Sequence, residues 1–302
     1  MVKRKISFSS ATSTTWSVFL STLAALKTPA PQAPMSATVS TTPATQEFSR
    51  MRFKHWMHRC LMMVPFAFLT GCAARGDLTK PIPTQLVAAP EKAQRVVVML
   101  PGRGDDLGGL QKRHTAEIIQ TEWPDADVVL TGLTMPYYIG GVATRRLHDE
   151  VIAPLKSRGY RQIWLAGISL GGMGTLEYDH DYPGEIDGML LLSPYLGKDD
   201  VQREIRDAGG LAAWNPGPEK PVGPETFTRE LWRSIKRWSD NPARQQSVWL
   251  AYGENERLRE PIEMMSPQLP ASHVIMLPGH HNWKLWKPAM GQLLHAANDE
   301  AH

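Results

Sequence analysis

The sequence predicts an α/β protein whose mostly parallel, doubly wound sheet is covered by helices on both faces. Six short apolar runs recur between residue 95 and the C-terminus, helical patterns separate them, and glycine or proline follows several of them. Runs with no alternation of polar residues mark strands buried on both faces. Strands that alternate with helices favour parallel crossovers.

The first run is Arg95-Val96-Val97-Val98-Met99-Leu100, ended by Pro101-Gly102. Asp127 to Leu130, Gln162 to Ala166, Met189 to Leu192, Ser247 to Tyr252 and His273 to Leu277 follow. Between the second and third runs, Val142 to Arg158 sets Leu147, Val151 and Leu155 one turn apart and is closed by Gly159. Pro154 inside that pattern predicts a kink or an early stop. Met173 to Tyr182 reads as a further helix, stopped by Pro183. Residues 199–242 break the alternation with Trp214, Trp232, Trp238 and the prolines Pro216, Pro218, Pro221 and Pro224. They predict a helical, cap-like insertion over the carboxyl ends of the strands, where sites gather in such sheets.

Length and charge bound the rest. The 302 residues, 42% hydrophobic and 21% charged, fit one globular domain with additional segments. A net charge of +3 leaves no basic surplus for nucleic acid, and much of that excess sits among the first sixty residues. Two cysteines, Cys60 and Cys72, exclude a disulfide framework and a cysteine-based metal site.

Residues 1–50, rich in Ser, Thr, Ala and Pro, read as disordered or as an over-extended start. From Met51 a basic stretch leads into the apolar run Leu61 to Leu69 and then Thr70-Gly71-Cys72, the layout of a signal peptide over 51–71. Leu69-Thr70-Gly71-Cys72 is similar to the lipobox of bacterial lipoproteins, which implies lipidation of Cys72 and a cell-envelope protein anchored to a membrane through that residue. Residues 72–94, polar and bearing Pro81, Pro83 and Pro90, read as a tether, with the folded domain spanning 95–302.

Chemistry concentrates where strands end. The third run continues into Gly167-Ile168-Ser169-Leu170-Gly171-Gly172 and then into a helical pattern. A serine hydroxyl is a poor nucleophile, and a sharp turn flanked by glycines lifts it to where a base can reach it. Pro101-Gly102-Arg103-Gly104-Asp105-Asp106 follows the first run, as either a loop of backbone donors or a plain turn capped by Asp105 or Asp106. Gly253-Glu254-Asn255-Glu256 follows the fifth run, and Pro278-Gly279-His280-His281-Asn282-Trp283-Lys284-Leu285-Trp286 the sixth. No helix carries paired histidines at metal spacing, and no loop carries a phosphate-binding lysine or a dinucleotide fingerprint.

These segments, in this order, resemble the α/β-hydrolase superfamily, and the last is similar to the Pro-Gly-Gly-His-Asp-Trp-x-x-Trp ending of its esterase branch. The resemblance runs from about Arg95 to the C-terminus. It implies Ser169 as nucleophile, His281 as base with His280 as the alternative, and Glu256 as the acid, with Glu254, Asp199 or Asp200 able to serve instead. The backbone N–H groups of Arg103 and Leu170 are the implied oxyanion donors. The implied activity is cleavage of carboxylic ester or thioester bonds through an acyl-enzyme, on a small or lipid-like substrate and without a cofactor. A cell-envelope or polymer deacylase or lipase, and a catalytically silent binding lipoprotein, are the alternatives. The aromatic residues of the insertion, with Tyr137 and Tyr138, suggest an apolar acyl pocket.

Overall fold

The computed structural model describes residues 76–300. The segments read as an over-extended start and a signal peptide, and Cys72, lie outside the described residues.

Seven strands form one sheet in the order β1-β3-β2-β4-β5-β6-β7. They are β1 (Thr84–Val87), β2 (Arg95–Leu100), β3 (Ala126–Thr131), β4 (Gln162–Ile168), β5 (Gly188–Leu192), β6 (Val248–Gly253) and β7 (Val274–Leu277). The six expected runs are β2 to β7, all mutually parallel; β1 pairs antiparallel with β3 on the edge.

Alternation along the strands feeds two cores. Val96, Val98 and Leu100 of β2 enter one, whereas Val97 and Met99 enter the other. A strand's period of two makes this unavoidable when every residue is apolar. The first core also takes side chains from four helices: α3 (Met135–Ile139), α4 (Ala143–Leu147), α5 (Ala153–Lys156) and α6 (Leu170–Asp181). The insertion adds α7 (Asp199–Asp207) and α8 (Phe227–Lys236), and short α9 (Pro242–Gln245) leads into β6, after which α10 (Arg259–Met265) joins the same face. The opposite face carries α1 (Leu107–Lys112), α2 (Thr115–Glu122) and the C-terminal α11 (Trp283–Asp299).

Helices following β2 and β4 therefore lie on opposite faces of two adjacent strands. The gap opening between their carboxyl ends is the crevice in which doubly wound sheets hold their ligands.

Three expectations change. Residues 72–94 were expected to be a tether, yet residues 78–87 are docked: Arg146 donates to Leu78 O at 3.0 Å and also to Lys80 O, Ile82 N–H donates to Glu150 at 2.6 Å, and β1 extends the sheet. Three of the four β1 residues are exposed, as suits an edge, and so the strand produced no apolar run. Pro154 does not stop the helical stretch, which runs past it to Lys156; Pro154 stands in the first turn of α5, and a π turn over His148–Ile152 separates that helix from α4.

The tryptophans of the insertion are not the walls of an acyl pocket. Trp214, Trp232 and Trp238 are at most 3% exposed and belong to the first core, as do the buried Tyr137 and Tyr138. The insertion packs α8 against α6. Trp232 Nε1–H donates to Leu196 O at 2.9 Å, which ties the insertion to the chain leaving β5.

Candidate active site

Ser169 stands between β4 and α6 with φ 54° and ψ −109°. A side chain rarely adopts positive φ, and the strain, of order 1–3 kcal/mol, persists only where surrounding contacts impose it. Here they are backbone contacts. Ser169 N–H donates to Leu192 O at 2.9 Å, and Tyr195 N–H donates to Ser169 O at 2.9 Å. A Cβ on Gly167 would lie 2.2 Å from Gly171 O, and one on Gly171 would lie 2.4 Å from Leu100 O. Only glycine lets the strand, the turn and the end of β2 close this tightly.

His281 reaches the serine from the loop after β7, and Glu256 reaches His281 from the loop after β6. His281 Nε2 lies 2.9 Å from Ser169 Oγ, and Nδ1 lies 3.2 Å from Glu256 Oε2. A carboxylate only accepts, so Nδ1 carries the ring proton and Nε2 is left to accept from the serine hydroxyl. Glu256 has a fully enclosed side chain. Its other oxygen accepts from Gly253 N–H at 3.0 Å and from the Ser193 hydroxyl. A buried carboxylate is tolerated only when its lone pairs are filled, and three donors fill these.

The other candidates are placed elsewhere. His280 is exposed and its Nδ1 faces Asn255 O at 3.1 Å, bracing the loop that carries Glu256. Asp199 and Asp200 are exposed in the first turn of α7. Glu254 N–H donates to Leu277 O at 2.9 Å, and Asn255 N–H to Gly279 O at 2.9 Å, so the acid and histidine loops are stitched together through their backbones.

The loop after β2 runs beside the serine: a Cβ on Gly102 would stand 3.7 Å from Ser169 Cβ. Arg103, the next residue, is half-buried. Leu170 is the first residue of α6, so its N–H has no acceptor within the helix. Asp106 caps α1 through Gly109 N–H at 2.8 Å. Asp105 accepts from Trp283 Nε1–H at 2.6 Å, which fixes the loop to the start of α11. Tyr195 is buried nearby, and burial pushes its phenol above the usual range, opposed by Arg103.

Two residues of this centre have no counterpart among the sequence candidates: Ser193, wholly buried at φ 47°, and Trp286, whose indole N–H donates to Ser193 Oγ at 2.9 Å. A serine after a strand carries no motif. Trp286 was visible only as the end of a Trp-x-x-Trp pattern. Among the described residues no group of three or more His, Cys, Asp or Glu is placed to hold a metal ion, and no helix is long and apolar enough to cross a membrane.

No family model and no curated protein matches the chain. Solved structures do. MPT51 of Mycobacterium tuberculosis is 16% identical, with 72% of this chain and 92% of that one covered at a TM-score of 0.54. Est1E of Butyrivibrio proteoclasticus is 14% identical, with 72% and 95% covered and a TM-score of 0.49. A monoacylglycerol lipase of Paleococcus ferrophilus is 16% identical, with 72% and 100% covered and a TM-score of 0.46. At such identities the likeness is one of fold. With the strand order, the two helical layers and the turn after β4, it shows that this chain has the α/β-hydrolase fold.

Proposed function

We propose that the chain is a serine-dependent carboxylic ester hydrolase working through an acyl-enzyme. The observation that carries this reading is the continuous line from Ser169 Oγ through His281 to Glu256, with contacts of 2.9 and 3.2 Å. Ser169 attacks the ester carbonyl as His281 Nε2 takes its proton. The imidazolium so formed keeps its Nδ1–H on Glu256, which fixes the ring and stabilises the charge. Negative charge on the carbonyl oxygen is met by the backbone N–H groups of Leu170 and Arg103, worth roughly 3 kcal/mol or more in an acyl transfer. Collapse of the adduct expels the alcohol, which takes the proton from Nε2. Water then enters, gives its proton to His281 and releases the acid from Ser169.

Labelling with a fluorophosphonate probe tests the reading. The protein should label and hydrolyse p-nitrophenyl esters, and Ser169→Ala should do neither; a folded protein that neither labels nor turns over would instead be a binding module. A panel of esters of graded chain length then separates a short-chain esterase from a lipase or deacylase. The signal-like segment 51–71 supports a further part of the proposal, attachment of the domain to a membrane of the cell envelope through lipidated Cys72. Palmitate labelling lost in Cys72→Ser is its expected outcome.

A further inference from the structure

Trp286, Ser193 and Glu256 form a second line of hydrogen bonds behind the histidine. Ser193 sits at the end of β5 in a left-handed conformation, and its side chain has no access to solvent. Its Oγ accepts the Trp286 indole N–H at 2.9 Å, and its hydroxyl donates to Glu256 Oε1. A hydroxyl has one proton, and with the indole on the oxygen that proton is committed to the carboxylate. The indole also stands edge-on to the His281 ring, with centroids 4.9 Å apart and planes at 88°.

We propose that Ser193, held by Trp286, is a positioning residue that sets the orientation of Glu256; the inference rests on the triad reading above. Two donors, Ser193 O–H and Gly253 N–H, hold Oε1, and this turns Oε2 toward His281 Nδ1. Removing the hydroxyl leaves the carboxylate held by one donor fewer, which loosens the imidazole and slows turnover.

The test is a cycle of Ser193→Ala and Trp286→Phe assayed on a p-nitrophenyl ester, with Ser169→Ala in parallel and thermal melts on each variant. Ser193→Ala should lower kcat about tenfold with KM unchanged, the scale of one charge-assisted hydrogen bond. Trp286→Phe keeps the aromatic contact with His281 and should cost about threefold in the wild-type background but nothing in Ser193→Ala, because it acts through that hydroxyl. Wild-type kcat in Ser193→Ala, a loss carried by KM instead of kcat, or additive losses in the double variant would overturn the proposal. Should Ser193→Ala not fold, the threefold loss of kcat at constant KM in Trp286→Phe decides alone, and its absence would overturn the proposal. Hydrolysis surviving in Ser169→Ala would remove the triad reading itself, a different result from a dead Ser169→Ala beside an unaffected Ser193→Ala.

Discussion

Replacing Glu256 by glutamine changes one atom and should reverse the histidine. Oε1 receives two donors, Gly253 N–H and Ser193 O–H, while Oε2 faces His281 Nδ1. A glutamine has one acceptor oxygen and one donor nitrogen, and the pair of donors holds the oxygen at the Oε1 position. The amide NH2 then faces Nδ1, which must become the acceptor. The ring proton moves to Nε2, 2.9 Å from Ser169 Oγ, where it can no longer receive the serine proton. Substitutions that force the wrong tautomer on a triad histidine cost about 10⁴ in kcat, near 5 kcal/mol in the barrier. Stability should change little, because the two donors on Oε1 keep their acceptor. Steady-state hydrolysis of a p-nitrophenyl ester and a urea melt measure both. A Glu256→Gln variant that folds and keeps more than a tenth of the wild-type kcat would refute the tautomer argument.

Gly167→Ala puts a methyl within 2.2 Å of Gly171 O, a backbone atom that can retreat only by opening the turn; the variant should lose about 3 kcal/mol in urea unfolding, the upper end for overpacking, and most of its labelling at Ser169. Glu177, which keeps some surface exposure, has its carboxyl pushed by burial up to about 8, with Asp181 adding repulsion. The native state thus holds a proton that the unfolded chain releases above about 4.5, so stability should fall as pH rises from there to about 8 and then level off. Glu177→Gln should flatten that slope and raise Tm at pH 8.5; a Tm no higher than wild type there would count against the burial of this group.

What the text of the chain discloses depends on how far each feature depends on partners distant in sequence. Strands β2 to β6 are legible because a strand buried on both faces must be apolar throughout; β7 lies on the other edge with Met276 exposed, and is legible because its residues are apolar even there. Strand β1 is illegible for the converse reason: Thr84, Gln85 and Leu86 stand exposed on an edge, so its pairing with β3 owes nothing to a hydrophobic pattern. The tryptophans of the insertion show composition without direction. Indoles suit a pocket wall and a core equally, and only the packing of α8 on α6 sends them inward. At the candidate site, glycine spacing marks Ser169 because the local backbone demands it. Which of two adjacent imidazoles faces the serine is set by the stitching of the loops after β6 and β7; in the sequence only the resemblance of the Pro278 to Trp286 ending to a known pattern favoured His281. Ser193 is the extreme case, a residue whose every relevant partner comes from another element.

The separation between the proposed nucleophile and its base, 112 residues along the chain, also bears on synthesis. A ribosome releases the β4–α6 turn well before the loops after β6 and β7 exist, and the whole of α11, whose indoles grip Asp105 and Ser193, follows those loops. The strained serine must then be held by glycines and neighbouring strands alone, as an inert alcohol. The proposed hydrolysis would switch on only when α11 docks, so a nascent chain, or one clipped before α11, could fold much of its sheet and still be harmless to the esters around it.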